Sequence, residues 1–269
     1  MSQPPIVSSA VALTIAGSDP SGGAGLQADL KTFQQYGVYG MSVVTLLTVQ
    51  NTRAVDAIYQ LPTEFIRQQL AAVVQDIPPL AIKSGALGQA DLMALLAQEL
   101  PSVPLIVDPV LVSKHGHRLA DDQVATAYRE SLFPKAWMIT PNRFELEAIT
   151  GCRADDPTSW EPAIDRIHGA GTKHVLVKMG DLEGRRRHLL SLEGRRVWLE
   201  QPDVHPASNH GAGCVLSAAI TSLVALAMAT GETCDAERIA RQAIQATHQA
   251  VTFRNGLGGG ISPAETRVI

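Results

Sequence analysis

One recurring pattern constrains the fold of this chain more than any other. Short apolar, β-rich runs with little polar interruption alternate with segments whose apolar residues recur at helical spacing. VALTIAG (11–17) reads as a strand ending in a glycine turn, and further strands are predicted at 42–50, 80–83, 104–108, 137–140 and 174–179. A helix is predicted from near Leu26 or Gln27 with Leu30 and Phe33 inward. A second opens at Pro62, where Ile66, Leu70, Val73 and Ile77 share a stripe. Others are expected at 90–99 (Leu92, Leu95, Leu96), around 121–132, after Asn142, near 159–169, and in two long closing segments at 213–230 and 235–253. Strands that are apolar throughout need cover on both faces, so the pattern predicts a parallel α/β sheet between helical layers. With no linker or composition shift, residues 1–269 read as one domain. The order of the strands does not follow from the pattern. The segment 181–201 breaks the rhythm, and its LLSLEGRRVWLE predicts a hairpin turning at Glu193-Gly194.

Apolar residues make up 45% of the chain and charged residues 18%, which excludes wholesale disorder. The net charge of -4, without a long basic run, argues against a nucleic-acid partner. Three scattered cysteines (Cys152, Cys214, Cys234) fit free thiols in a reducing compartment. The N-terminal apolar run has no basic residue before it, unlike a signal peptide, and the run 215–228 reads as too short for a bilayer span. A cytoplasmic protein without a membrane partner is expected.

In open α/β sheets ligands bind beyond the carboxyl ends of the strands. The first strand ends in Gly17-Ser18-Asp19-Pro20-Ser21-Gly22-Gly23-Ala24-Gly25, followed by Asp29. This loop either brings backbone amides to a ligand or is simply a flexible turn, and it is neither a Walker A motif nor GxGxxG. Asn209-His210-Gly211-Ala212-Gly213-Cys214 precedes an apolar helix whose opening amides favour an anion, although the glycines serve tight packing equally well. Asp108 follows a strand and suits a metal–phosphate complex or a turn. Asn142 and Glu145 offer oxygen ligands for Mg²⁺, or a helix cap with its acidic partner. Lys178 ends a buried strand, where a lysine needs a partner such as phosphate. Arg185-Arg186-Arg187 is either solvated surface or a cover for a nucleotide.

Taken together, ALTIAGSDPSGGAGLQADLKTF (12–33), YGVYGMSVVTLLTVQNT (36–52), LIVDPVLVSKHG (105–116), LFPKAWMITPNRFELEAITG (132–151) and NHGAGCVLSAAI (209–220) resemble the bacterial hydroxymethylpyrimidine/phosphomethylpyrimidine kinases of thiamine synthesis. The resemblance spans essentially the whole chain. These enzymes belong to the ribokinase-like superfamily, with the pyridoxal and pyridoxine kinases. The resemblance implies a three-layer α/β/α fold, ATP beside the final glycine motif, Mg²⁺ and a homodimer. It implies phosphorylation of a small heteroaromatic alcohol, 4-amino-5-hydroxymethyl-2-methylpyrimidine, and of its monophosphate. By motif, Gly17, Asp29 and Gln50 would contact the ring and Val110 would pack beside it. Asp108, Asn142 and Glu145 would organise Mg²⁺ and phosphates, with Asp108 and Glu145 nearest the metal. Lys178 would neighbour the phosphates, and Gly211, Ala212, Gly213 and Cys214 would form an anion hole.

The chain departs from that family in Lys83-Ser84-Gly85-Ala86 for Lys-Ile-Gly-Met, in Lys178-Met179-Gly180-Asp181 for Lys-Gly-Gly-His, in VLVSKHG for VMVAKSG, and in Asn209 and Ala212 of the last motif. Ala86 should widen the pocket beside the ring. Cys214 stands where sugar kinases of the superfamily carry an aspartate. A helix N-terminus lowers a thiol pKa, which makes Cys214 a candidate base as well as a candidate wall. A pyridoxal/pyridoxine kinase, and a non-catalytic nucleotide-binding module on the same scaffold, are the alternatives.

Overall fold

The computed structural model describes residues 10–111, 122–153, 157–182, 185–201, 208–253 and 255–269. Ser113 to Gly116, part of one predicted departure, lie outside them, as do the side chains of Met179, Asp181, Arg185 and Arg186. The strands are β1 (Val11–Ser18), β2 (Tyr39–Gln50), β3 (Val55–Gln60), β4 (Ala81–Ser84), β5 (Leu105–Val107), β6 (Ala136–Ile139), β7 (His174–Leu182), β8 (Arg185–Leu192) and β9 (Arg195–Gln201). The helices are α1 (Gly25–Gln35), α2 (Thr63–Asp76), α3 (Ala90–Glu99), α4 (Asp122–Ala127), α5 (Arg143–Thr150), α6 (Pro157–Gly169), α7 (Ala212–Thr230) and α8 (Ala236–Thr252).

A single sheet has the order β3-β2-β1-β4-β5-β6-β7-β8-β9. Its interior pairs, from β2 through β7, are parallel, and the β2–β3, β7–β8 and β8–β9 pairs are antiparallel. The predicted hairpin is β8–β9, turning at Glu193-Gly194. Strand β3 was not predicted. It is an edge strand with mostly exposed or half-buried side chains, and the connecting residues Asn51 to Ala54 contain no glycine to mark a hairpin.

Period-two alternation divides the interior into two layers. Leu13, Ile15, Ile82, Leu105 and Val107 pack on one face with Ile66, Leu70, Leu92, Leu96 and Trp160. Ala12, Ala81 and Ile106 face the other way, against Phe33, Leu216, Ile220, Ile239 and Ala243. The second face carries α1, α7 and α8, and small strand residues let these helices approach closely. Leu30, Val73, Ile77 and Leu95, predicted to point inward, are half-buried at the margins of these layers.

Helix α7 is longer than its apolar run, at 19 residues, and by length and apolarity alone could cross a membrane. In this fold it packs on α1, α8, β1, β4 and β5. Its Ser217, Thr221 and Ser222 hydroxyls donate to carbonyls one turn back, so these buried oxygens are satisfied. It opens at Gly211 (φ 77°), which carries no capping side chain.

A Cβ on Gly211 would overlap the carbonyl oxygen of Gly23 in the β1–α1 loop. Two backbone segments therefore lie against one another, and both need glycine. Gly231, at the far end of α7, shares the left-handed conformation (φ 72°) but has open space around it. Gly231→Ala should cost about 1–2 kcal/mol, the backbone penalty alone. Gly211→Ala should cost about 3 kcal/mol or more, because overlap adds to strain. Urea unfolding of the two variants measures the difference, and equal losses would mean that the loop contact gives way freely.

Candidate active site

The C-terminal ends of β1, β2, β4 and β5 and the start of α7 surround a cavity of about 150 Å³. Its wall includes Gly17, Leu46, Thr48, Gln50, Gly85, Ala86, Val110, His210, Gly211 and Cys214. Four of the five residues expected to meet a ring, Gly17, Gln50, Ala86 and Val110, are thus brought together. Gly17 has no room for a side chain, since a Cβ would lie 2.6 Å from Leu46 Cδ1 and 3.7 Å from the Ala86 methyl. The small Ala86 leaves space at this corner.

Asp29 does not meet the cavity, which corrects the expected ring contact. It projects from α1 into the alanine-lined face of the sheet and is wholly buried. Lys83 Nζ donates to both of its oxygens, at 2.8 and 2.7 Å, and Thr14 Oγ1 donates to Oδ2 at 2.6 Å. Lys83, not Asp29, reaches the cavity wall. Burial on its own would lower the Lys83 pKa, but Asp29, Cys214 and Asp108 together hold it above its ordinary value. Lys83 belongs to the Lys83-Ser84-Gly85-Ala86 stretch, and its register on β4, opposite Thr14 of β1, is the signal that turns it towards Asp29.

Asp19 and His210 also escaped prediction as wall residues. Their link, Nε2 to Oδ2 at 2.8 Å, joins the β1–α1 loop to the approach to α7, and Gln50 Nε2 lies 3.4 Å from the same ring nitrogen. Burial pushes the Asp19 carboxyl up, but hydrogen bonds from His210 and Ser21 outweigh it and hold the group below the usual carboxylate range. The ionised carboxylate fixes Nε2 of His210 as a donor. That in turn requires the Gln50 amide to face it with oxygen.

On the other side of the α7 start lies a cleft of about 290 Å³ lined by Asn142, Lys178, His188, Gln201, Asn209, Ala212 and residues of α7 and α8. Lys178 Nζ donates to Asp108 Oδ1 at 2.9 Å and lies 3.6 Å from Glu145 Oε2. The Thr140 hydroxyl donates to Asp108 Oδ1 at 3.2 Å, and the Ser217 hydroxyl, shared with the Gly213 carbonyl, lies 3.2 Å from Oδ2. Gly213 closes over this cluster, since its Cβ would come within 3.4 Å of Lys178 Nζ and 3.7 Å of Asp108 Oδ2. Asn142 caps α5 by accepting from Phe144 and Glu145 N–H, and Glu145 Oε2 accepts from Asn142 N–H at 2.7 Å. The capping box is real, and it aims Glu145 at Lys178. The cap reading of this pair is what the geometry shows, and the same cap brings the Glu145 carboxylate within 3.6 Å of Lys178 Nζ.

Burial and the Asp108 carboxylate push Glu145 up to about 7 against the pull of Lys178. Lys178 itself is held above its ordinary pKa, because Asp108 and Glu145 outweigh the cost of burial. Among the described residues no group of three or more His, Cys, Asp or Glu side chains forms a metal cage. Two carboxylates short of a full ligand set suit a hard cation whose remaining ligands are phosphate oxygens and water, as Mg²⁺ prefers.

Cys214 is a correction in electrostatics. The helix terminus was expected to lower its pKa, yet burial pushes the thiol up to about 11. Lys83 and a hydrogen bond from the Gly25 amide oppose that rise, while Asp29 and Asp108 add to it. At neutral pH the sulfur is a protonated thiol, not a ready base.

Two cavities meeting at one helix start, beyond the strand ends of a three-layer sheet, define an ATP-dependent phosphotransferase of the ribokinase-like class. Solved structures agree. The pyridoxal kinase from Staphylococcus aureus in complex with pyridoxal superposes with a TM-score of 0.84 at 30% identity, over 96% of this chain and 93% of that one. A phosphomethylpyrimidine kinase from Clostridium difficile gives a TM-score of 0.76 at 36% identity, over 90% of this chain and 99% of that one. Sequence sets the branch, because residues 19–263 match the family model described as phosphomethylpyrimidine kinase. The hydroxymethylpyrimidine/phosphomethylpyrimidine kinase of Streptomyces coelicolor is 39% identical over 264 residues, 97% of this chain and 96% of the relative. The chain belongs to the phosphomethylpyrimidine kinase family, and its activity is ATP-dependent phosphorylation within that branch.

The raised thiol pKa has a direct readout. Alkylation of Cys214 by iodoacetamide, in a Cys152→Ser/Cys234→Ser background, should rise about tenfold per pH unit between pH 7 and 9, without levelling. A plateau below pH 9 would show the thiolate to be formed far more easily than this geometry allows.

Proposed function

We propose that this chain transfers the γ-phosphoryl group of ATP to the hydroxymethyl group of 4-amino-5-hydroxymethyl-2-methylpyrimidine, and then phosphorylates the monophosphate. The supporting observation is the shared helix start: Gly211 and Cys214 line the smaller cavity, while Ala212 lines the cleft beside Lys178. The flat alcohol fits the first, with Gly17, Gln50, Ala86 and Val110 around the ring, and the nucleotide fits the second. A new oxygen–phosphorus bond forms as the bond to the bridging oxygen of ATP breaks, ADP leaves, and the alcohol proton departs late to the phosphoryl oxygens or solvent. Amides from Gly211 to Cys214 and the Lys178 ammonium then face charge that grows during transfer. Mg²⁺ would be held by Asp108 and Glu145 and would supply neutralisation of the phosphates. With its thiol protonated, Cys214 acts in this reading as a compact wall beside the acceptor oxygen.

A pyridoxal/pyridoxine kinase is the second reading, favoured by the space left at Ala86 and by the fold similarity to pyridoxal kinase. Steady-state assays with ATP and each ring alcohol decide between them. The aminopyrimidine should show kcat/KM at least about 10-fold above pyridoxal, the scale of one well-placed polar contact. The reverse order would transfer the assignment to the second reading. Lys178→Met should lower kcat by about 100-fold or more through loss of charge stabilisation, and near-normal turnover in that variant would remove Lys178 from the chemistry.

The proposal extends to a cytoplasmic homodimer working as one kinase domain per chain. Leu47 and Tyr59 oppose each other on the β2–β3 ribbon, and with Val49 they leave an exposed apolar face suited to burial against a second copy. Sedimentation of the wild type should give a dimer, and Tyr59→Glu should shift it towards monomer. An unchanged dimer in that variant would place the interface elsewhere.

A further inference from the structure

The Asp29–Lys83 pair has a property that packing does not explain. Both side chains are fully shielded, at 0% exposure. A buried ion pair is poor evidence of stabilisation, since apolar residues of similar volume commonly serve as well. This pair lies in the layer where β1 and β4 otherwise offer Ala12 and Ala81, so an apolar replacement would match its surroundings. Its two ends are placed unequally. Lys83 forms part of the acceptor cavity wall, beside Gly85 and Cys214, and Asp29 does not. The pair is therefore a fixed dipole with its positive end at the acceptor. Asp29 holds the ammonium with both oxygens, and Thr14 fixes the carboxylate from behind. At the Cys214 sulfur the influence of Lys83 exceeds that of Asp29, as expected for the nearer end of a dipole.

Lys178 is a second cation on the nucleotide side of the same helix start, already engaged by Asp108 and Glu145. The two lysines thus divide the site into a donor charge and an acceptor charge. A neutral alcohol has little use for the second. An acceptor that already bears a phosphate brings negative charge beside a lysine that is itself shielded from solvent, where attraction is screened less than in bulk water.

We infer that Lys83, positioned by Asp29 and Thr14, is a specificity-determining residue that favours a phosphorylated acceptor over the neutral alcohol. The inference rests on the proposed reaction at this site, so its test separates binding from turnover. Calorimetric titration without nucleotide compares 4-amino-5-hydroxymethyl-2-methylpyrimidine with its phosphate ester. In Lys83→Met/Asp29→Leu, which removes both charges and leaves neither buried alone, the ratio of ester to alcohol dissociation constants should rise by about 50-fold. The unfolding temperature of this variant should fall by no more than the loss of one buried hydrogen bond, that of Thr14, implies. A folded double variant with an unchanged ratio, or with equal loss of both ligands, overturns the inference and leaves the pair a packing element. Asp29→Asn leaves the lysine buried without the carboxylate that keeps it charged, so the preference for the ester should weaken as pH rises and recover as pH falls. A preference in Asp29→Asn that matches wild type at every pH counts equally against the inference. Phosphoryl transfer by wild type is measured in parallel. Failure to phosphorylate either compound would refute the proposed reaction, while the binding ratio still decides the part played by Lys83.

Discussion

The close approach of two glycine segments organises this molecule. Gly211 can lie on the Gly23 carbonyl only because it carries no Cβ, and a Cβ on Gly23 would in turn strike the His210 ring. This contact seats the first turn of α7 over the mouth of β1, between the residues of β2 and β4 on one side and those of β5, β6 and β7 on the other. The His210–Asp19 bond reinforces the seat from the flank. Both cavities owe their shape to it, because the same turn of helix forms a wall of each.

Around that turn the charges are arranged in two separate clusters. Asp108, Glu145 and Lys178 form one, oriented by an α5 capping box and by hydroxyls from Thr140 and Ser217. Asp29, Lys83 and Thr14 form the other, within the layer between α1 and the sheet. Each lysine is kept charged by carboxylates, against the tendency of burial to neutralise it. The thiol at the junction has no such dedicated partner, and burial with the Asp29 and Asp108 carboxylates outweighs the pull of Lys83 and of the Gly25 amide. Charge in this site therefore belongs to the lysines and not to sulfur.

Much of this was legible beforehand, for identifiable reasons. Apolar runs with little alternation mark strands covered on both sides, and the parallel interior of the sheet followed from them. The glycine loop and the α7 start announced themselves because residues without Cβ atoms cluster only where backbones must meet. Asn142 and Glu145 were visible through their three-residue spacing, which the structure uses as a capping box. What failed did so physically. Asp29 in a helix after a ligand-facing loop resembles a ring contact, and only the register of β4 reveals that Lys83 intercepts it. Strand β3 is paired on one side only and carries an exposed face, so periodicity reports it weakly. The Cys214 pKa depends on burial and on carboxylates remote in sequence, which no local motif encodes.

The division of labour at the α7 turn has an evolutionary consequence. In the proposed reaction, the groups that meet developing charge on the phosphoryl side are peptide amides together with Lys178, and an amide N–H persists through any substitution except proline. On the ring side, the wall consists of exchangeable side chains such as Ala86, Gln50 and Val110. A lineage built this way can retune which ring it accepts through a few point changes while its transfer chemistry stays insulated from drift. Related kinases acting on different flat alcohols are what such a scaffold should leave behind.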